Sequence, residues 1–407
     1  MRSVDEQLAR VLTAAVRPAP VRVAIAESQG LLCAEDVVAE QALPGFDQAA
    51  VDGYAVRSVD VQTAVDESTI LPIVGESGIG SRQPSRLQPG QTVRMATGAP
   101  LPTLADAVVP LDYTDQHPAK VTVHHPVPSA AFVRRAGEDV QAGDVAVRRG
   151  APIGAAQVGL LAAVGRDKVL VHPRPRISVI AVGDELVDVD RNPGQGQVYD
   201  VNSYALAAAA RDAGAEVTRV GVIGNEPARL REVVEGRLLL SEIVVIAGGV
   251  GGASGERVAG ALADLGELDV TRVRMHPGSV QGFGRLGPDE IPTFALPGNP
   301  GSSLVAFEVL VRPLIRAALG KGNPHRRTVD AELVSPVSSR EGRRGFLRGQ
   351  LLRDPDSGAY LVQPLGTSGS HLLTSLAEAN CLLVLGEGTT EVAAGEQVQV
   401  RFLSQRA

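Results

Sequence analysis

Tryptophan is absent from the 407-residue chain and aromatic residues make up only 3% of it. Single-stranded nucleic acids are gripped by rows of stacked aromatic side chains, so that mode is excluded. Positive charge is also short: the formal net charge is −7, whereas a nucleic-acid backbone is held by clustered Lys and Arg. No nucleic-acid partner is expected. The two cysteines, Cys33 and Cys381, stand far apart in apolar stretches, which offers neither a disulfide framework nor metal-ligand spacing. No apolar run approaches the roughly 20 residues of a membrane helix, which excludes direct membrane insertion. Asp5 and Glu6 fall where an export signal carries basic charge. With the unpaired cysteines, this predicts a cytoplasmic protein. The seven histidines are scattered, and His124 with His125 has no third ligand at metal spacing, so they read as structural.

A chain this long fits two to four domains. Ser3 and Glu6 stand at capping-box spacing, and Leu8, Val11, Leu12 and Ala15 share one helical face, which predicts a helix over Ser3 to Val16. Residues 46 to 136 change to short alternating runs between Pro and Gly clusters, the pattern of a small β-domain. From Asp144 to Val171 Gly-punctuated apolar segments lead to a Pro-rich linker at His172-Pro173-Arg174-Pro175. Buried-strand and helical runs then alternate to residue 322, the signature of a mostly parallel sheet covered by helices. Its strands are expected at Ile177 to Val182, Glu216 to Ile223, Ile243 to Ala247 and Thr293 to Leu296. The helices fall at Ser203 to Ala213, Glu226 to Leu240, Gly255 to Leu265 and Ser302 to Leu319, the last kinked by Pro313. Short strands with Gly turns fill residues 327 to 403 and point to a C-terminal β-barrel. The fold class is therefore multidomain α/β. Its expected domains are 1–45 plus 137–172 (elongated, helical and β), 46–136 (inserted, β-rich), 173–322 (α/β) and 323–407 (β-barrel).

Three strands of the α/β segment end in loops of special composition: Gly183-Asp184-Glu185, Gly248-Gly249-Val250-Gly251-Gly252, and Pro297-Gly298-Asn299-Pro300-Gly301-Ser302. Ligands of open α/β sheets bind outside the carboxyl ends of the strands. There the glycines let backbone amides approach a phosphate, and helix N-termini add partial positive charge. A nicotinamide dinucleotide is the rival ligand, but Gly249-Val250-Gly251-Gly252-Ala253-Ser254 carries a serine where the fingerprint needs its third Gly or Ala. Asp184 and Glu185 beside phosphate loops suit Mg²⁺. Asp184 alone could instead cap a helix. Glu226 and Glu256, near helix starts, could complete a metal site or merely favour the helix dipole.

Taken together, the motifs resemble those of the MoeA and gephyrin E-domain family. The most specific segment is Pro44-Gly45-Phe46-Asp47-Gln48-Ala49-Ala50-Val51-Asp52-Gly53-Tyr54-Ala55-Val56. Met95-Ala96-Thr97-Gly98-Ala99-Pro100, Arg135-Ala136-Gly137-Glu138-Asp139-Val140, Gly183-Asp184-Glu185-Leu186, Asp200-Val201-Asn202-Ser203, Pro297-Gly298-Asn299-Pro300 and Gly369-Ser370-His371 follow in family order. The resemblance implies a homodimer of four-domain subunits whose α/β domain binds molybdopterin. It also implies a reaction in which adenylylated molybdopterin is hydrolysed with molybdate and Mg²⁺, AMP is released and molybdenum is inserted. By motif position it makes Asp52, Thr97, Asp139 and Glu185 catalytic or site-shaping, with Asp184, Gly248, Gly249, Val250, Pro297, Gly298, Asn299, Pro300 and Ser302 holding the pterin and its phosphate. Mg²⁺ would fall to Glu185, Glu226 and Glu256, and molybdate to His276, Ser279, Arg348 and Ser370.

The chain departs from the family pattern in places. His276-Pro277-Gly278-Ser279 stands where the family commonly has Lys-Pro-Gly-Lys, which removes two cations near the expected molybdate site. Asn225 and Glu226 replace a pair of acids, and Glu256 replaces an Asp. The gephyrin branch supplies a reading from another class: a scaffold holding a peptide of a cytoskeletal, cell-division or membrane-receptor partner in the groove between the α/β and C-terminal domains.

Overall fold

The computed structural model describes residues 1–65, 68–81, 86–366 and 373–403. It divides into two compact units, Val21–Val171 and Met1–Pro20 with His172–Ala407. Among the described residues no helix is long and apolar enough to cross a membrane.

In the unit Val21–Val171 a curled five-stranded sheet runs in the order Ala107–Pro110, Gly53–Val56, Thr92–Met95, Thr69–Ser77, Lys120–Val123. Alternation along Gly53–Val56 sends Tyr54 and Val56 to a core with Leu71, Val109 and Val121, and Ala55 to one with Val93, Met95 and Val108. Both faces are thereby buried. Around it, Val21–Ala24, Leu32–Cys33 and Lys168–His172 form a small sheet over the helix Ala155–Ala163, closed by Cys33, Ile153, Leu161 and Val169.

The other unit holds an α/β sheet and a barrel. Its chain order is β1 (Arg176–Val182), α1 (Asn202–Ala213), β2 (Glu216–Ile223), α2 (Pro227–Leu238), β3 (Ile243–Ala247), α3 (Gly252–Leu262), β4 (Leu268–Arg272), β5 (Val280–Leu286) and β6 (Ile291–Leu296). The strands lie in the order β2-β1-β3-β6-β5-β4. The first four are parallel and the last two antiparallel. Strands β4 and β5 are not among the strands expected from the sequence; Gly282 and Gly284 interrupt the apolar run of β5. Gly284 is needed inside β5: a Cβ there would lie 2.2 Å from the Glu267 carbonyl oxygen. Helix α3 begins three residues ahead of the expected Gly255.

The helix Val4–Leu12 carries the Ser3–Glu6 capping box and stops short of the expected Val16. Residues 1–20, which the sequence pattern groups with 21–45, pack on the α/β unit. Val4 and Val11 enter the core of Leu206, Phe283 and Phe294, so burial of the apolar stripe decides where this helix lies. After β6 come α4 (Pro300–Ala306), a π-helical turn at Phe307–Val311 and α5 (Arg312–Ala318). Pro313 lacks a donor and its ring presses on the carbonyl one turn back, so the helix widens ahead of it.

The C-terminal strands β7 (Thr328–Leu333), β8 (Arg344–Arg353), β9 (Tyr360–Pro364), β10 (Cys381–Leu385) and β11 (Gln397–Phe402) run β8-β9-β7-β11-β10, and pairing of β8 with β10 closes a barrel. Leu333, Leu351, Val362, Leu383 and Val400 fill it.

Candidate functional site

From β1 the chain passes through α1 to β2 on one side, then through α2 to β3 on the other side of β1. The sheet order therefore reverses between β1 and β3, and the crevice outside their carboxyl ends is where open α/β sheets bind ligands. All three glycine loops predicted to line it meet there. Gly248 has a φ of +105° and its Cβ position lies 2.3 Å from the Val182 carbonyl oxygen at the end of β1, so only glycine fits. Its N–H donates to the Leu296 carbonyl at 3.0 Å, which ties the loop after β3 to the end of β6. Gly298 in turn faces Gly248, with 3.7 Å from its Cβ position to the Gly248 Cα.

The polar groups of the crevice split into those that shape loops and those left for a ligand. Asp184 accepts hydrogen bonds from the Asn225 backbone N–H and side-chain amide, each at 2.8 Å. These two bonds hold its carboxyl below the usual carboxylate range. The Glu185 carboxylate folds back over Gly183, whose Cβ position is 2.6 Å from both of its oxygens; a side chain at 183 would displace it. Asn299 caps α4 by accepting from the Ser302 N–H at 3.1 Å, so Asn299 and Ser302 build the helix start. Val250 is buried among Leu230 and Val258 and anchors its loop, which leaves backbone amides to face a ligand.

Asn202 belongs to a motif in the sequence, yet nothing there assigns it a task. It lies at the start of α1, where the carboxylate of the buried Asp200 accepts from the Ser203 N–H at 3.0 Å and from its hydroxyl. Its side-chain amide donates to the Gly298 carbonyl at 2.7 Å while its Oδ1 is buried without a partner. One residue thus fastens the third loop to the first helix. Asn225 stands out in the sequence only as the replacement of an acid; its task of holding Asp184 leaves no distinctive spacing there.

Among the described residues no three His, Cys, Asp or Glu side chains gather as a metal site. Glu226 is exposed at the N-cap of α2 without a cap bond, and Glu256 is exposed on α3. What the crevice offers is the adjacent exposed carboxylates Asp184 and Glu185. That donor set is too small for an all-protein cage, but it fits Mg²⁺, which commonly binds through one or two carboxylates and substrate phosphates.

A cavity of about 400 Å³ lies between the α/β domain and the barrel, lined by His276, Gly301, Val305, Phe346, Arg348 and Pro364 among others. Two of the four predicted molybdate residues, His276 and Arg348, meet in it, with Gly301 of the third loop. Burial, then the charges of Arg340 and Arg343, hold His276 below its usual value, so its imidazole is neutral near pH 7. Ser279 lines its own turn, its hydroxyl donating to the Val273 carbonyl at 2.9 Å. Ser370 lies outside the described residues.

In the unit Val21–Val171 the pairing of Gly53 with Met95 places Asp52 beside Thr97. The Thr97 N–H and hydroxyl both donate to Asp52 Oδ1 at 2.7 Å. These bonds lower the Asp52 pKa. Asp139 is exposed, and its N–H is used by the Leu43 carbonyl at 3.0 Å.

Three family profiles match the chain. A "MoeA N-terminal region (domain I and II)" covers residues 2–165, a "probable molybdopterin binding domain" 178–317 and a "MoeA C-terminal region (domain IV)" 330–403. Molybdopterin molybdenumtransferase 1 of Mycobacterium tuberculosis is 62% identical over the whole of both chains. The molybdopterin molybdenumtransferase of Haemophilus influenzae is 31% identical over 92% of this chain and 91% of its own. The crystal structure of a molybdopterin biosynthesis MoeA protein from Pyrococcus horikoshii superposes with a TM-score of 0.83 at 30% identity over 99% of each chain.

Proposed function

The chain belongs to the MoeA family of molybdopterin molybdenumtransferases, and from that membership we propose that it inserts molybdenum from molybdate into adenylylated molybdopterin and releases AMP. The observation that carries the assignment of the site is the meeting of the three glycine loops at the reversal point of the sheet. Gly248 can pass the end of β1 closely because it has no Cβ, which brings its loop to the crevice, and Gly298 and Asn202 hold the neighbouring loop against it. Backbone amides there, with the start of α4, receive the phosphate of the pterin.

In the reaction, water attacks the phosphoanhydride that joins the pterin phosphate to AMP, and AMP leaves with the bridging oxygen or the attacking one. Glu185, exposed and held over Gly183, is placed to accept a hydrogen bond from that water. Asp184, with Asn225 holding it ionised, adds negative charge beside it. Mg²⁺ would be held by Glu185 and Asp184 with phosphate oxygens and would neutralise phosphate charge. Arg348 and His276 receive molybdate in the neighbouring cavity, Arg348 through its planar fork of donors. Asp52, Thr97 and Asp139 keep the catalytic or site-shaping role that their motifs imply, and the working form is a homodimer. The relatives bear transferase names, and no observation favours the scaffold reading.

Hydrogen exchange with and without adenylylated molybdopterin tests this. Slowed exchange at 183–185, 248–251 and 297–301 is expected. Protection confined to residues 46–136 would show that the site lies elsewhere.

A further inference from the structure

A second cavity, of about 660 Å³, opens where the N-terminal helix, the end of α5 and the barrel meet. It shares no lining residue with the cavity of His276 and Arg348. Its wall carries Arg316, Arg326, Arg327, Arg344 and Arg401 against the single carboxylate of Asp5. That carboxylate is taken: Arg344 grips it through two bonds of 2.7 Å. Arg326 is likewise paired, with Glu308 and Asp212, each at 3.0 Å.

Three guanidinium groups remain. Among the described residues Arg316, Arg327 and Arg401 have no carboxylate within ion-pair distance and no side-chain hydrogen bond. Arg327 and Arg401 rest only on the faces of Phe402 and Phe346, at 5.5 and 5.6 Å from the ring centroids. The Nε atoms of Arg316 and Arg401 are buried without an acceptor. Burial also lowers the Arg401 pKa. Burial, followed by the charges of Arg401 and Arg312, holds the His325 imidazole on the same wall below its usual value. Buried charges in native proteins are paired, because an unpaired one loses its hydration for nothing. Arg316 and Arg401 are half-buried and Arg327 is exposed, and the carboxylates of Glu308 and Asp5 reach Arg401 only through space. Three arginines on one wall of a ligand-sized cavity, without a contacting carboxylate, leave room for a multiply charged counter-ion.

We propose that this cavity is a second anion site, separate from the crevice, that binds a polyphosphate group, with Arg316, Arg327 and Arg401 as its donors. Guanidinium forks match phosphate oxygens geometrically and keep their charge when partly buried. The apolar side chains of Val4, Leu8 and Val309 on the same wall leave room for an uncharged group carried by the phosphates.

Calorimetric titration tests the site with pyrophosphate, ATP and adenosine as probes, on the wild type, an Arg316→Gln/Arg401→Gln variant and an Arg348→Gln variant. Pyrophosphate and ATP should bind the wild type with a component that is at least tenfold weaker in the double variant and unchanged in Arg348→Gln, and adenosine alone should not show that component. ATP binding tighter than pyrophosphate would assign the apolar wall to the nucleoside; equal affinity would assign the site to the phosphates. Thermal melting separates loss of the site from loss of the fold: without anion the double variant should melt no lower than wild type, and pyrophosphate should raise only the wild-type Tm. No binding to the wild type, undiminished binding to the double variant, or a loss confined to Arg348→Gln would overturn the proposal. So would pyrophosphate splitting a dimer in sedimentation, because acids of a second copy would then be the missing partners.

Discussion

Replacing Gly248 by alanine is the sharpest perturbation of the proposed crevice. The residue holds a φ of +105° with its Cβ position 2.3 Å from the Val182 carbonyl oxygen. A left-handed backbone costs a residue with a Cβ about 1–2 kcal/mol, and relieving an overpacked contact costs about 1–3 kcal/mol. Together these give about 2–5 kcal/mol, which the loop can shed by moving away from β1 and losing its grip on the ligand. At about 1.4 kcal/mol per factor of ten, binding of adenylylated molybdopterin should weaken roughly 30-fold to a few thousand-fold. Gly251→Ala is the control: that residue has a φ of −105° and open space where the Cβ would go. Isothermal titration of both variants, at matched secondary structure, gives the comparison. If Gly248→Ala binds within threefold of Gly251→Ala, the close approach of this loop to β1 does not shape the ligand site.

Asn202→Asp should weaken pterin binding at neutral pH about 5- to 100-fold, the range expected when a buried acceptor loses its donor. Affinity should recover as the pH falls and the introduced carboxyl regains a proton to give Gly298, whereas Asn202→Ala should show no such recovery. Thr97→Val removes one of the two bonds that depress the Asp52 pKa, so a carboxyl NMR titration should find Asp52 moved upward; an unchanged value would mean the hydroxyl does not engage it. With its folded value depressed, the ionised Asp52 favours the fold above the usual carboxylate range, and that contribution fades as the pH falls through the folded value. His276→Lys should lower the molybdate concentration for half-maximal insertion, less so at high salt. Ser279→Lys should do less, since the Ser279 hydroxyl turns to its own loop. An equal or larger effect of Ser279→Lys would place the oxyanion elsewhere.

Buried-strand runs ending in glycine clusters are legible because the same loop serves the backbone and the ligand: Gly248 must be glycine to pass Val182, and the loop it starts turns into the crevice. The parallel core of the sheet follows from such runs, and so does the barrel, whose short strands alternate between Gly turns. The antiparallel extension β5–β4 is hidden for the converse reason, since Gly284 sits inside a strand to admit the Glu267 carbonyl, and a glycine admitting a neighbour looks like one making a turn. Side-chain tasks are less legible than backbone ones. Asp184 invites the metal reading by position, but its two bonds from Asn225 depend on two strand ends lying side by side, which strand order alone decides.

The lost lysines show where local reading stops. Charge counting along the sequence removes two cations from the molybdate site and asks His276 or Arg348 to compensate. The structure answers for His276: Arg340 and Arg343 act on it through space and, with burial, keep it neutral. Its imidazole gains charge only as the pH drops below the usual histidine range, because a depressed value must be crossed from above. Compensation at neutral pH therefore rests on Arg348 and on the field of Arg340 and Arg343. The molybdate requirement of the wild type should accordingly fall on acidification, while that of His276→Lys, already charged, should stay flat. Parallel pH profiles for the two proteins would remove His276 from the oxyanion site.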